Sequence, residues 1–142
     1  LKKRRKEMKI KYNKEYRKKN RLKMNKYDNQ YKKRRKEEDP EYRMGRILRH
    51  YFRQTLLTYT KTGKIMPSNS YGINFKAITR HLKPLPKDFS KYHVHHIRPL
   101  HTFNFINKDG STNLKEVKKA WEPKNLKLLT IEEHRRINHW KL

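Results

Sequence analysis

Residues 92–100 read Tyr-His-Val-His-His-Ile-Arg-Pro-Leu, a histidine-rich stretch at the start of the C-terminal third of the chain. Its aromatic and β-branched residues predict a short strand, which Pro99 ends because proline cannot donate a ladder hydrogen bond. Six of the eight histidines of the chain lie beyond residue 92. Because imidazole binds metals and exchanges protons near neutral pH, we expect the chemistry of the protein to be here.

The sequence after residue 100 predicts the order of the remaining secondary-structure elements. After a long loop, a helical patch is expected around residues 117–121 and a second strand at residues 125–129. Thr130 and Glu133 then form a capping box, which opens a helix that carries His134. The predicted order is therefore strand, long loop, strand, helix.

These pieces resemble the HNH endonuclease family, and more narrowly its phage and intron homing-type members. The family pattern is a His-x-Asp-His-Ile-x-Pro-Leu strand, a Pro-x-Asn-x-x-x-Leu strand and a terminal acidic helix. Residues 93–100, 120–126 and 128–134 are similar to these pieces in the same order. The resemblance implies a C-terminal ββα-metal HNH module. The rest of the sequence predicts a long basic N-terminal helix and amphipathic helices before it, so the expected fold is α+β and mostly helical.

The resemblance also implies a role for each residue of the motif. His95 takes the first metal-ligand position, and His96 is the general base that activates water. Asn125 orients His96 and ties the loop down by hydrogen bonds. His134 is the second metal ligand, borne by the helix. Asn138, one turn further along that helix, falls where some relatives have a further ligand.

One divalent metal ion, Mg²⁺ or Mn²⁺, is the cofactor that the resemblance implies. The similar proteins usually carry Asp at the position of His95 and often Asn at the position of His134. Imidazole is a softer ligand than a carboxylate, so Zn²⁺ or Ni²⁺ would also suit this site. The identity of the metal is left open by these two departures from the family pattern.

Strand geometry leaves a second assignment open. Successive side chains of a regular strand point to opposite faces, so His95 and His96 reach one metal-bound phosphate only if the strand bends. His93 and His95 share a face, and they could form a zinc pair while His96 has a structural role. A third interpretation is that the cluster consists of ordinary surface histidines of a basic protein.

The helical lead-in occupies residues 40–91. Pro40 fits the first turn of a helix, and apolar residues at three- and four-residue spacing continue that helix to about residues 62–63. Asn74 can cap a second, short helix, which Pro84 and Pro86 would close.

Positive charge defines the expected partner. The 142 residues carry a net charge of +27, which favours binding to a polyanion, and DNA is the expected partner. Residues 1–40 hold 19 Lys or Arg against 6 Asp or Glu, which identifies residues 1–39 as a basic, helical or partly disordered DNA-binding arm. Within it, residues 2–7 recur letter for letter as residues 32–37. The alternative is a solvated, low-complexity tail.

Candidate phosphate contacts lie in all three segments, 1–39, 40–91 and the HNH module at 92–142. They are Arg4, Arg5, Lys18, Lys19, Arg34, Arg35, Arg46, Arg49, Arg53 and Arg98. The arginines of the lead-in could equally form a solvated face, and Arg98 could equally have a structural role.

Other features bound the function. No apolar run approaches the roughly 18 residues of a membrane span, so no membrane partner is expected. The absence of cysteine excludes disulfides and fits a cytoplasmic or other intracellular setting in a phage, organelle or bacterial host. Because residue 1 is Leu rather than Met, we expect a fragment or a processed chain.

The sequence thus predicts a metal-dependent HNH DNA endonuclease of homing or phage type. Two alternatives remain open at this point. One is a non-catalytic nucleic-acid-binding protein with a structural metal site. The other is a bacteriocin-like toxin nuclease.

Overall fold

The computed structural model describes residues 1–61 and 63–139, the side chains of Asn138 and His139 excepted. Across these residues the fold is mostly helical, with five α-helices and one two-stranded antiparallel sheet. The described chain divides into two compact units, one formed by Leu1–Glu38 and one that begins at Asp39. The predicted α+β class is therefore confirmed at this level.

Helix α1, Lys2–Glu38, makes up the first unit. It has 37 residues and none of them is buried. The rings of Tyr12 and Tyr16 stack with centroids 6.2 Å apart, as their i,i+4 spacing predicts, and the guanidinium of Arg34 lies 5.9 Å from the Tyr31 ring centroid. Such pairs stabilise a helix by only a few tenths of a kcal/mol each. The arm is thus a helix without a core of its own.

Helix α2, Pro40–Tyr59, opens the second unit. The Asp39 side chain caps it by accepting a hydrogen bond from the Tyr42 backbone N–H at 3.1 Å. The helix ends at Tyr59, earlier than predicted, because the backbone of Thr60 is already extended. Its apolar stripe is almost fully buried at Met44, Leu48, Phe52 and Leu56.

Two short helices continue the second unit. Helix α3, Phe75–His81, is capped by the predicted Asn74, whose side chain accepts from the Ala77 backbone N–H at 3.1 Å. Helix α4, Leu114–Ala120, occupies the predicted helical patch but begins three residues earlier than expected. Phe75 and Ile78 of α3 and Val117 and Ala120 of α4 are buried in the same core as α2.

Strands β1, Tyr92–His96, and β2, Leu126–Thr130, form the antiparallel sheet, with His95 opposite Lys127. Strand β2 begins one residue later than predicted, because Pro123–Asn125 forms a 3₁₀ turn. Helix α5, Ile131–His139, follows β2 directly.

The predicted capping box at the start of α5 is present. The Thr130 backbone N–H donates to Glu133 Oε2 at 3.0 Å, and the Glu133 backbone N–H donates to Thr130 Oγ1 at 3.2 Å. Both bonds span three residues, so α5 starts at a point that local chemistry determines. The whole order of strand, loop, strand and helix agrees with the prediction.

The sheet has two different faces. Its inner face carries Val94, His96, Leu126 and Leu128 and packs on the core around Trp121, which is 1% exposed. Alternation places His93, His95, Lys127 and Leu129 on the outer face, and α5 packs against both strands.

Candidate metal and catalytic site

Three histidines meet on the outer face of the sheet. His93 Nδ1 lies 3.3 Å from His134 Nδ1, and the centroids of these two rings are 5.1 Å apart. The rings of His95 and His134 have centroids 5.4 Å apart. Because β2 pairs with β1 and runs straight into α5, the first turns of α5 bring His134 over the strand that carries the other two.

His96 lies on the inner face instead. Its ring meets the edge of the Trp121 ring with centroids 4.9 Å apart and planes at 79°. Among the described residues, no hydrogen-bond partner is found for its buried Nε2. Burial, with a smaller contribution from the neighbouring His95, lowers the pKa of His96 from 6.5 to about 4. The imidazole is therefore neutral at neutral pH.

A cavity of about 310 Å³ opens beside His96, between α2 and β1. It is lined by Tyr51, Gln54, Thr55, Thr58, Tyr59, Val94, His96 and Leu100. The cavity lies between His96 and α2, on the inner side of the sheet. The other motif histidines, His95 and His134, meet on the outer side.

Asn125 is a buried polar residue in the 3₁₀ turn before β2, only 9% exposed. Its Oδ1 accepts a hydrogen bond from the Arg98 backbone N–H at 2.8 Å, and its Nδ2 donates to the Ala120 backbone carbonyl at 2.9 Å. Its backbone carbonyl accepts from the Ile97 N–H at 2.8 Å. These bonds reach the two residues after His96, so Asn125 fixes the backbone that follows His96.

The Arg98 side chain is engaged in its own loop. Its Nε donates to Thr102 Oγ1 at 3.1 Å and its terminal nitrogen donates to the Thr102 carbonyl at 3.0 Å. The guanidinium carbon lies 3.9 Å from the Phe103 ring centroid. Arg98 thus stabilises the turn at Leu100–Thr102 while it stays exposed to solvent.

The other candidate phosphate contacts are on the surface of the helices that carry them. Arg4, Arg5, Lys18, Lys19 and Arg34 on α1 and Arg46, Arg49 and Arg53 on α2 are exposed, and Arg35 is half-exposed. Arg49 also lies over the Phe75 ring, 5.2 Å from its centroid. Their positions leave cationic groups accessible to a polyanion.

Asn138 belongs to α5, but its side chain lies outside the described part of the structure. In the described part, no group of three or more His, Cys, Asp or Glu side chains is assembled to hold one ion. None of the described helices is both long and apolar enough to cross a membrane.

Two contacts of the site were not expected from the sequence. His81 Nε2 lies 3.1 Å from the Leu126 backbone carbonyl and so supports the start of β2 from α3. The contact between His93 and His134 joins residues 41 positions apart. The period-two alternation indicated only that His93 shares a face with His95, because it carries no information about α5.

Comparisons of the chain with protein-family models, with curated proteins and with solved structures find no match. The functional argument therefore depends on the residues and the geometry of this chain.

Proposed function

We propose that the protein is a metal-dependent HNH-type DNA endonuclease, of homing or phage type, that hydrolyses phosphodiester bonds. One observation carries the proposal. Two paired strands and the helix that follows them bring His95 within 5.4 Å of His134, centroid to centroid. Asn125 ties down the backbone next to His96, whose ring lies on the other face of the same strand. The sheet and α5 thus bring two of the motif histidines, His95 and His134, together.

The donor set fits a divalent cation. His95 and His134 would hold the ion, since neutral imidazole nitrogen is a common ligand of divalent first-row metals. When bound, the ion would stabilise negative charge on the phosphate and on the departing oxygen. Asn138 is a further candidate ligand, one turn beyond His134.

His96 is the proposed general base. With a pKa of about 4, its imidazole is unprotonated at neutral pH, as a group that accepts a proton from water must be, but it is a weaker base than an imidazole of pKa 6.5. The hydrogen bonds of Asn125 to the backbone of residues 97–98 hold the end of β1, and with it the start of the His96 side chain. Ends with 5′-phosphate and 3′-hydroxyl groups are what the family resemblance implies.

DNA is the proposed substrate because of the charge of the chain, +27 over 142 residues. The exposed arginines of α2 and the basic groups of α1 would contact phosphates, which supply affinity without reading sequence. Arg98 would contribute one more cation next to the site.

Nicking of supercoiled plasmid tests the proposal directly. The wild-type protein is assayed with Mg²⁺, Mn²⁺, Zn²⁺, Ni²⁺ and EDTA, next to His96→Ala, His95→Ala and His134→Ala. Removal of a general base typically costs about 10²- to 10⁴-fold in rate. His96→Ala should lose cleavage and keep DNA binding, and His101→Ala, on an exposed turn, should behave as wild type. Undiminished cutting by His96→Ala would refute its assignment as the base.

A non-catalytic DNA-binding protein with a structural metal site is the second candidate. The packing of His96 on Trp121, on the face opposite His95 and His134, favours it, since a buried imidazole is poorly placed to activate water. In that case no divalent ion would support nicking, while EDTA would lower the melting temperature.

A further inference from the structure

His93 has no role in the proposed reaction, yet its ring centroid lies 5.1 Å from that of His134, against 5.4 Å for His95. We propose that His93 is a metal ligand together with His134 and His95, and that this site takes Zn²⁺, Co²⁺ or Ni²⁺ in preference to Mg²⁺. The inference deepens the proposed function by naming the class of its metal. It rests on that function only for the use to which the metal is put.

The spacing of the two nitrogens is the first argument. Zinc binds histidine nitrogen at about 2.0–2.1 Å, so two such ligands of one tetrahedral ion are roughly 3.3 Å apart. His93 Nδ1 and His134 Nδ1 are separated by 3.3 Å. The two rings therefore already have the spacing of ligands that share an ion.

A hydrogen bond would account for the same distance. It would require one Nδ1 to carry a proton and the other to accept it, and His93 would then only orient His134. The absorption spectrum of a bound metal distinguishes the two explanations. It changes with the donor atom at position 93 only if that residue binds the metal directly.

His95 is the third member of the site. It lies on the same face of β1 as His93, and its ring centroid is 5.4 Å from that of His134. Because no three-residue group is assembled in the described side chains, His95 joins the ion by rotating about its side-chain bonds.

The chemistry of the donors decides the metal. Three imidazoles and no carboxylate suit Zn²⁺, Co²⁺ or Ni²⁺, whereas Mg²⁺ requires oxygen ligands. Glu133, on the first turn of α5, accepts the hydrogen bond from the Thr130 backbone N–H and serves as a helix cap. The outer face thus presents nitrogen donors next to one another.

Replacement of His93 by cysteine gives a direct test, because these 142 residues contain no cysteine. Co²⁺ is added to the full chain carrying His93→Cys or, as the matched control, His101→Cys on the exposed turn Leu100–Thr102. A thiolate bound to Co²⁺ produces a charge-transfer band in the near ultraviolet. We expect this band for His93→Cys and not for His101→Cys. Equal spectra of the two variants would overturn the proposal.

Zn²⁺ affinity gives a second test that does not depend on a new thiol. Calorimetric titration compares the wild type, His93→Gln and His101→Gln, each first shown by circular dichroism to be folded in EDTA. Loss of a residue that only hydrogen-bonds to a ligand typically weakens metal binding by about 10-fold or more. Loss of a ligand itself should weaken Zn²⁺ binding by at least as much. Wild-type affinity in His93→Gln would overturn the proposal.

Cleavage assays separate this inference from the proposed function. If His93→Gln binds Zn²⁺ weakly and no variant cuts DNA, the metal site stands and the nuclease proposal fails. If the protein cuts DNA and His93→Gln keeps wild-type affinity for Zn²⁺, the nuclease stands and the ligand assignment of His93 fails.

Discussion

The arm and the globular unit carry nearly equal positive charge, but only one of them has a core. Helix α1 buries none of its 37 residues, whereas the unit from Asp39 onward buries a continuous cluster around Trp121. Burial of apolar surface is the main stabilising contribution to folding, and a helix that buries nothing owes its order to local propensity alone. Positive charge therefore does different things in the two regions. On α1 the positive charge is distributed over a helix that has no buried face. On α2 it forms the exposed face of a helix whose other face is buried.

The same substitution in the two helices should have very different effects. Leu48 is fully buried in α2 and Leu22 is 82% exposed on α1. Leu48→Ala should destabilise the protein by about 2–5 kcal/mol, the range for a buried leucine. Leu22→Ala should change stability by less than about 0.5 kcal/mol, as for an ordinary surface position. Urea unfolding followed by tryptophan fluorescence measures both. Similar losses in the two variants would show that α1 is packed against something.

Acid should destabilise the globular unit through His96, and α1 contains no histidine. Above pH 6.5 the imidazole is neutral in both the folded and the unfolded chain. Below it, the unfolded chain takes up a proton that the folded chain, with a pKa of about 4 at His96, does not. Stability is therefore lost as the pH falls from 6.5 to about 4, by up to about 3 kcal/mol.

His96→Gln should remove this part of the pH dependence. Unfolding free energies measured in EDTA at several pH values give the difference between the two proteins. A wild-type protein that is no more acid-sensitive than His96→Gln would show that the histidine is not buried in solution.

Two asparagines test the contrast between buried and exposed polar groups. Asn125→Ala leaves the Arg98 N–H and the Ala120 carbonyl without their partner in a buried turn, which should cost about 1–3 kcal/mol. Asn20 on α1 makes one exposed bond to the Tyr16 carbonyl, so Asn20→Ala should be neutral or slightly favour the helix. Thermal melts compare the two. A cost at Asn20 equal to that at Asn125 would contradict the assignment of α1 as a solvated helix.

The smallest effect is expected from removal of one pair of charges in either region. The slope of log affinity against log salt concentration is negative, and its magnitude should decrease by about 0.9 for every phosphate that is no longer neutralised. Arg4→Gln/Arg5→Gln in α1 is compared with Arg46→Gln/Arg53→Gln in α2, by fluorescence anisotropy with duplex DNA. We expect both pairs of substitutions to decrease the magnitude of this slope. An unchanged slope for the α1 pair would mean that these arginines of the arm do not bind DNA.

Much of the secondary structure could be predicted from the sequence, because the signals are local. The caps at Asp39 and Asn74 and the reciprocal bonds of Thr130 and Glu133 join groups three residues apart. The boundaries were predicted less well. Strand β2 starts late because the three residues before it form a 3₁₀ turn, a choice that depends on the buried bonds of Asn125.

The candidate site shows where local signals end. The His-rich stretch, its strand, its alternation and the helix bearing His134 follow from spacing and capping within a few residues. Which face of the strand meets α5, and which meets Trp121, depends on how the two strands and the helix pack. That packing brings His93 to His134 and sets His96 on the core. Contacts between residues some 40 positions apart depend on how the whole sheet is buried. A short sequence pattern is therefore not sufficient to predict them.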